Sequence, residues 1–273
     1  MGSHDLFSLK GKVIVVTGGT GILGGSFVNA IAEMGGIPII IGRNGDIAKQ
    51  RAGEIIANGG EAMSIVADVL EEKDLLIARD LILEKYGTID GLVNGAGGNI
   101  PEGILQPEAD VFSMNIEGMK KAMVLNVWGT IIPTQIFGSV MAKNGGGSIV
   151  NISSVSSKQV VTKVLGYSMG KAAIDSYTQW FAVEVANRFG DTIRVNAIMP
   201  GFFLTEQNRT LLTKEDGTYT DRGNQVIKNT PFKRFGKPEE LVGALIYLLS
   251  DASQFVTGMQ LGVDGGFTVF SGV

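Results

Sequence analysis

Short runs of consecutive apolar residues alternate along this chain with longer stretches in which apolar positions recur every three or four residues. The runs Val13–Val16, Ile37–Ile41, Ala62–Val66, Ile89–Val93, Ser148–Ile152, Ile193–Ala197 and Gln260–Val263 read as strands. Between them, Ile22–Met34, Ala48–Ala57, Glu71–Tyr86, Met119–Met141, Tyr167–Phe189 and Glu239–Leu249 read as helices, the last with Pro238 just before it. The strands are apolar at nearly every position, so both faces are covered, and helical crossovers then make neighbouring strands parallel. The regular repetition predicts an α/β fold, a doubly wound parallel sheet of about seven strands with helices on both faces.

Two stretches break the rhythm, residues 98–118 and 202–237. Both follow the C-terminal ends of strands, the edge where open α/β sheets hold ligands, so both are candidate substrate lids. With no linker in sight, residues 1–273 are expected to form one domain, with 202–237 as a lid insertion and 1–8 as a tag remnant or disordered start. Met1-Gly2-Ser3-His4 has the look of an expression-tag remnant.

Composition narrows the chemistry. Hydrophobic residues make up 44% of the 273 residues, enough for a sizeable core, and charged residues only 18%, which hints at surface covered in an oligomer. The net charge of −4 disfavours a nucleic-acid partner, and Lys120-Lys121 reads as a solvated helix face. Without cysteine, and with His4 the one histidine, disulfides, thiolate nucleophiles, Cys or His metal sites and Ser-His-Asp hydrolysis are excluded. The general acid or base must be Tyr, Lys, Asp or Glu, and no metal is expected. No apolar run reaches the ~18–20 residues of a membrane span. Nor does a signal-peptide core open the chain, which therefore reads as cytoplasmic, with no membrane partner.

The first strand ends in Thr17-Gly18-Gly19-Thr20-Gly21-Ile22-Leu23-Gly24. A glycine turn between a strand and a helix lets a pyrophosphate approach the backbone, and the N–H groups at the helix start favour an anion. No Gly-Lys-Ser/Thr follows, which disfavours a P-loop. After the second strand stand Gly42, Arg43 and Asn44 in place of the carboxylate that would bind an adenosine ribose, so the balance leans to NADP over NAD. Arg43 also reads as a solvated loop residue. Asp68 could accept from the adenine amino group or merely cap the turn before the next helix.

Tyr167 and Lys171 stand one helical turn apart on one face. A phenol titrates near pH 10, and a cation held beside it lowers that value, making the pair a tunable proton donor or acceptor. The strand before that helix ends in Ser153-Ser154, which places hydroxyls at the same sheet edge.

With these motifs in order, Thr17-Gly18 to Gly24, Asp68-Val69, Asn94-Gly95-Ala96-Gly97, Asn126, Ser154, Tyr167-x-x-x-Lys171, Pro200-Gly201 and Thr205, the sequence resembles the compact branch of the short-chain dehydrogenase/reductase superfamily from about Leu9 to Gly266. The resemblance implies a Rossmann-type, NAD(P)(H)-dependent oxidoreductase. It implies that Ser154 orients the substrate oxygen, Tyr167 passes the proton, Lys171 binds the nicotinamide ribose and lowers the Tyr167 pKa, and Asn126 holds a relay water. It places cofactor contacts at Gly18, Thr20, Gly21, Ile22, Leu23, Gly24, Arg43, Asn44, Asp68, Val69, Asn94, Gly95, Ala96 and Gly97, then at Pro200, Gly201, Phe203 and Thr205. A homo-oligomer, most often a tetramer, is implied as well, with the long helices at its interfaces. One departure stands out: the compact branch usually has glycine where this chain has Ile22, and the spacing Gly18, Gly21, Gly24 is similar to that of the extended branch.

A narrower likeness, carried by Asn94–Asn99, Gly201–Arg209 and the ending Asp264-Gly265-Gly266-Phe267, is to a subgroup of D-mannonate oxidoreductases, which interconvert fructuronate and mannonate. An anionic sugar acid needs a cation and many polar groups. Asn99, Ser154, Gln207, Asn208 and Arg209 are the candidates for substrate contact, with Lys158 and Lys163 as further cations. Alternatives on the same scaffold are a gluconate-type dehydrogenase and a 3-oxoacyl-thioester reductase. The polar run Glu206–Arg209 disfavours a long acyl chain. A non-catalytic dinucleotide-binding regulator is disfavoured because Tyr167 and Lys171 are both present.

Overall fold

The computed structural model describes residues 5–106, 108–204, 209 and 211–272. As the apolar pattern predicts, seven strands form one parallel sheet: β1 (Val13–Thr17), β2 (Ile37–Gly42), β3 (Met63–Val66), β4 (Gly91–Asn94), β5 (Gly147–Ile152), β6 (Ile193–Pro200) and β7 (Gln260–Val263). Their order is β3-β2-β1-β4-β5-β6-β7, so the winding reverses between β1 and β4. That reversal opens a crevice at the C-terminal ends of these strands.

Helices α1 (Ile22–Glu33), α2 (Gly45–Ala57), α3 (Glu72–Tyr86), α4 (Ile116–Lys143), α5 (Leu165–Phe189) and α7 (Val242–Leu249) cover the sheet, while α6 (Asp221–Asn229) packs through Val226 against Leu212 and Phe235 in a separate small cluster. Alternate strand residues feed two cores. Ile14 and Val16 pack with Phe27 and Ile31 of α1 and Leu245 and Leu249 of α7. Val13 and Val15 pack on the other face with Leu75 and Ile82 of α3 and Phe137 and Met141 of α4. All of β1 is buried, which is why its sequence shows no polar alternation.

Several boundaries move for local reasons. Helix α2 begins earlier than the apolar pattern suggests because the Asn44 side chain accepts the Ile47 N–H. Likewise Asn115 accepts the Gly118 N–H and starts α4 at Ile116. Asp5–Phe7, expected as part of a tag remnant or disordered start, form a 3-10 turn ahead of the fully buried Leu9. In the stretch 202–237 the sequence showed no helical signal, yet α6 forms there, its Thr220 side chain accepting the Gly223 N–H. Helix α4 has the length and composition of a membrane-crossing helix, but its buried positions, Ala122, Gly129, Phe137 and Met141 among them, pack within the fold.

One buried cation ties the far end of the sheet together. Arg194 of β6 donates to the Leu248 and Ser250 carbonyls and to the Ser253 hydroxyl, satisfying the C-terminus of α7. Ser148 of β5 donates to the same Leu248 carbonyl. Arg194→Ala should lower the unfolding free energy by about 3 kcal/mol, because buried carbonyls lose charged donors. Urea denaturation at neutral pH measures this, and a loss no larger than that of an exposed-arginine substitution would contradict the role.

Candidate active site

The crevice at the winding reversal is a groove of about 450 Å³. Its walls are the β1–α1 turn with Gly18, Thr20, Gly21, Ile22, Leu23 and Gly24, the end of β2 with Gly42 and Arg43, then Asp68 and Val69 beyond β3, and Gly95, Ala96 and Gly97 beyond β4. The sequence-predicted cofactor residues are thus largely brought together. The turn closes through the Gly21 N–H donating to the Gly18 carbonyl. Gly21 then stands as the N-cap of α1 without a side-chain cap, so the first turn of that helix offers backbone N–H groups to the groove. A side chain at Gly18 could not fit, since an added Cβ would lie 2.7 Å from the Ala96 backbone nitrogen. Ile22, where the compact branch has glycine, opens α1 and lines the groove without disturbing the turn.

Other expected contact residues have structural partners of their own. Asn94 is buried and spans strands and helices: its Nδ2 donates to Thr134 Oγ1 at 2.8 Å and to Asn151 Oδ1 at 2.8 Å. Asn151 Nδ2 continues to Thr178 Oγ1 at 2.9 Å. This polar bridge joins β4 and β5 to α4 and α5 just below the Gly95–Gly97 wall of the groove. Asn44 has its Oδ1 engaged as the cap of α2. Phe203 is buried and pairs with Gly236 around a separate small cavity that also holds Phe202 and Phe232. Pro200 ends β6, and Gly201 lies against the Asp264 backbone, which leaves no room for a Cβ. Thr205, Gln207 and Asn208 lie outside the described residues. Asn99 and Arg209 are exposed.

Beyond Gly97, past the wall of the groove, stand Tyr167, Lys171 and Ser154. Tyr167 and Lys171 lie on the first turns of α5, and the Lys171 ammonium sits 5.5 Å from the Tyr167 ring centre. Lys171 is only 4% exposed and donates to the Ile152 carbonyl at 2.6 Å. Burial lowers its pKa to about 8, while the Asp175 carboxylate, one turn further along α5, pushes it back up. Tyr167 has its pKa raised by burial, although part of the residue remains open to solvent, and a hydrogen bond with Ser154 pulls it the other way.

Ser154 is held from one side. Its Oγ accepts the Ser156 N–H at 3.2 Å and the Ser156 hydroxyl at 3.1 Å. With both acceptor directions used, its own proton is left for Tyr167 or for a substrate oxygen. Gly97 links groove and proton site: an added Cβ would lie 2.7 Å from Asn126 Oδ1 and 3.3 Å from Lys171 Nζ. Asn126 is fully buried, donates to the Gly98 and Ala122 carbonyls and accepts the Gly98 N–H. Its side chain therefore clamps the Gly97–Gly98 backbone; its amide is already engaged by the protein.

Sequence reasoning missed Asp175 and Arg51. Asp175 is 4% exposed; its Oδ1 accepts the Ser153 hydroxyl at 2.5 Å and its Oδ2 faces the Lys158 ammonium at 3.1 Å. Lys158, a candidate substrate cation, is thereby committed to Asp175. The helical spacing Tyr167, Lys171, Asp175 could have revealed the carboxylate. Lys163, the other candidate, holds a left-handed backbone at φ 76° and its carbonyl accepts the Leu105 N–H, joining the 98–118 stretch to the segment before Tyr167. Arg222 at the start of α6 reaches the Thr162 carbonyl at 3.4 Å, so the 202–237 stretch meets the same segment.

The buried ammonium makes a pH prediction. Between about pH 8 and 10.5 the unfolded chain still holds the Lys171 proton that the folded chain has released. Unfolding free energy should therefore gain a rising component across that window, and Lys171→Met should remove it. Asp175→Asn should shift its onset below pH 8, because the carboxylate's upward push on the ammonium is gone. Urea denaturation at stepped pH reads both, and an unaltered profile in Lys171→Met would refute the assignment.

Known proteins are similar to this chain over nearly its whole length. A family model described as Enoyl-(Acyl carrier protein) reductase matches residues 21–268. An uncharacterized oxidoreductase of Bacillus subtilis is 41% identical, the alignment covering 97% of this chain and 98% of that protein. Among solved structures, a candidate D-mannonate oxidoreductase from Haemophilus influenzae with bound NAD is 39% identical, with a TM-score of 0.89 and coverage of 97% and 98% of the two chains. A gluconate 5-dehydrogenase from Burkholderia cenocepacia in complex with NADP and tartrate is 32% identical, with a TM-score of 0.86 and coverage of 98% and 99%.

Proposed function

Because this chain belongs to the short-chain dehydrogenase/reductase superfamily and is an NAD(P)-dependent oxidoreductase acting on CH–OH groups, we propose that it interconverts the ketone and secondary alcohol of a sugar acid of the fructuronate and mannonate type. The observation that carries the chemistry is the meeting of Ser154, Tyr167 and the buried Lys171 at the end of β5, joined through Gly97 to the glycine-walled groove.

The groove fits a dinucleotide: glycines leave room for a pyrophosphate, and the uncapped start of α1 faces it. A bound nicotinamide supplies or accepts the hydride. The chain's own residues handle the proton and the geometry. Tyr167 gives its hydroxyl proton to the substrate oxygen in reduction and takes it back in oxidation. Lys171 favours the phenolate by its charge and presents its ammonium to the nicotinamide ribose. Ser154, its acceptor sites filled by Ser156, donates to the substrate oxygen. Asn126 holds the Gly97–Gly98 backbone against Lys171. Asp68 and Val69, which line the groove, would meet the adenine end, and Pro200 and Gly201 at the end of β6 would meet the nicotinamide amide.

Cations on the segment before Tyr167 support an anionic substrate: Lys163 stands there in a left-handed turn, and Arg222 of α6 reaches the Thr162 carbonyl, while Arg209 and Asn99 are exposed. Residues 202–237 then act as the lid. A gluconate-type substrate is the second reading, favoured by the tartrate in the Burkholderia relative, a hydroxy acid with the same carboxylate demand. For the cofactor, Gly42 leaves no carboxylate at the end of β2 to repel a 2′-phosphate, and the Arg43 side chain is 78% exposed, 4.0 Å from Asp68. The balance leans to NADP. Exposed Val124 and Trp128 on α4, with Trp180 and Val183 on α5, support a homo-oligomer, assigned as a tetramer. The chemistry and the composition fit a cytoplasmic enzyme of carbohydrate metabolism.

Two experiments test this reading. Tyr167→Phe should lower kcat by about three orders of magnitude or more, as loss of a positioned proton donor does, with cofactor binding retained in a fluorescence titration. Full turnover in that variant would refute the mechanism. A panel of fructuronate, mannonate, gluconate and a 3-oxoacyl thioester with each cofactor should give the highest kcat/KM on the fructuronate–mannonate pair, with NADP(H) above NAD(H). A rate confined to the thioester would retire the substrate assignment.

A further inference from the structure

Arg51 has no part in the chemistry described so far, yet its guanidinium lies against the glycine turn. It projects from the middle of α2 and donates from one nitrogen to the Gly19 carbonyl and, at 2.7 Å, to the Gly21 carbonyl. Gly21 is the N-cap of α1, and its carbonyl also accepts the Gly25 N–H at 2.9 Å, the first bond of that helix. Arg51 therefore grips the turn on both sides of Thr20, a residue that lines the groove.

Gly25 makes the grip possible. An added Cβ there would lie 2.9 Å from both the central guanidinium carbon and one terminal nitrogen of Arg51. A glycine in the first turns of a helix forgoes stability relative to alanine. Here it opens the space that the guanidinium fills, so Gly25 and Arg51 form one device contributed by two helices.

The electrostatics point to an anion. A cation at a helix N-terminus opposes the helix dipole, whose positive end lies there. Burial lowers the Arg51 pKa, with Glu54, one turn along the same helix, offsetting part of the shift. The two groups that bond the guanidinium on the turn are neutral carbonyls. A dinucleotide pyrophosphate beside Thr20 and the α1 N-terminus would relieve the like polarity of dipole and guanidinium together.

We propose that Arg51 is the positioning residue of the pyrophosphate turn: it clamps the Gly19 and Gly21 carbonyls so that the N–H groups of Thr20 and the α1 start face the phosphates. The inference rests on the reading of the groove as the dinucleotide site.

The test uses ADP and adenosine as probes, with calorimetric titration of the full chain, and steady-state kinetics with the reduced cofactor. Wild type should bind ADP more tightly than adenosine. Arg51→Gln should weaken ADP about tenfold, the order of one charge-assisted hydrogen bond, and leave adenosine within about twofold. The cofactor KM should rise by a similar factor while kcat at saturation falls less than about threefold. Gly25→Ala should displace the guanidinium and weaken ADP similarly, and the double variant should be no weaker than either single one. Arg51→Lys keeps the charge without the fork and should fall between wild type and Arg51→Gln. Equal losses for ADP and adenosine, additive losses in the double variant, or unchanged ADP affinity in folded Arg51→Lys and Arg51→Gln would each overturn the proposal. If wild type binds ADP no better than adenosine, the reading of the groove fails, and that result is distinct from a failure of Arg51.

Discussion

The site depends on keeping one positive charge inside the protein. Lys171 is almost fully enclosed, and an isolated ammonium in such a place would shed its proton. Three things hold it: the Ile152 carbonyl at the end of β5, the Asp175 carboxylate one turn along α5, and the Asn126-clamped backbone of Gly97 and Gly98 closing over it. The carbonyl can accept only because β5 ends at that residue, and the carboxylate is in range only because α5 continues its helix. Sheet and helix must keep one register for the charge to survive. The pKa near 8 shows a balance that favours the ammonium at neutral pH with little margin.

That register is itself maintained by polar contacts in an apolar interior. Asn94 and Asn151 sit side by side on β4 and β5 and bridge to Thr134 and Thr178 on the two long helices. A buried amide left unpaired costs more than a missing methyl group, so a slip of either helix would be penalised at once. The same bridge fixes where β4 ends and where the Gly95–Gly97 wall of the groove begins. Asp175 extends the logic to the β5 end, binding the Ser153 hydroxyl beside Ser154 and drawing Lys158 across it. The proton site and the groove are therefore one mechanical unit.

The sequence by itself determined the layers and the strand number. Strands buried on both sides must be apolar throughout, and helices on a sheet must show a 3.6-residue period, so both leave direct marks in the chain. Tyr167, Lys171 and Ser154 were legible for the same reason: one lies a helical turn from the next, and the serine closes the adjoining strand. The glycine turn between β1 and α1 was legible because only glycine permits the backbone approach found at Gly18.

Tertiary structure alone decided what each of the remaining polar residues does. Asn94 and Asn44, expected at the cofactor, also serve as a buried bridge and a helix cap, because a hydrogen-bonding amide serves whichever neighbour the fold delivers. Helix α6 escaped notice since its stretch offers few apolar positions and is started by Thr220. Arg51, with no motif of its own, reaches the glycine turn across the interface between α1 and α2, and Gly25 gains meaning only once the guanidinium is seen in its place. Periodicity records contacts made within one element, whereas a contact between two elements depends on how they pack, and nothing in the linear order of residues encodes that distance.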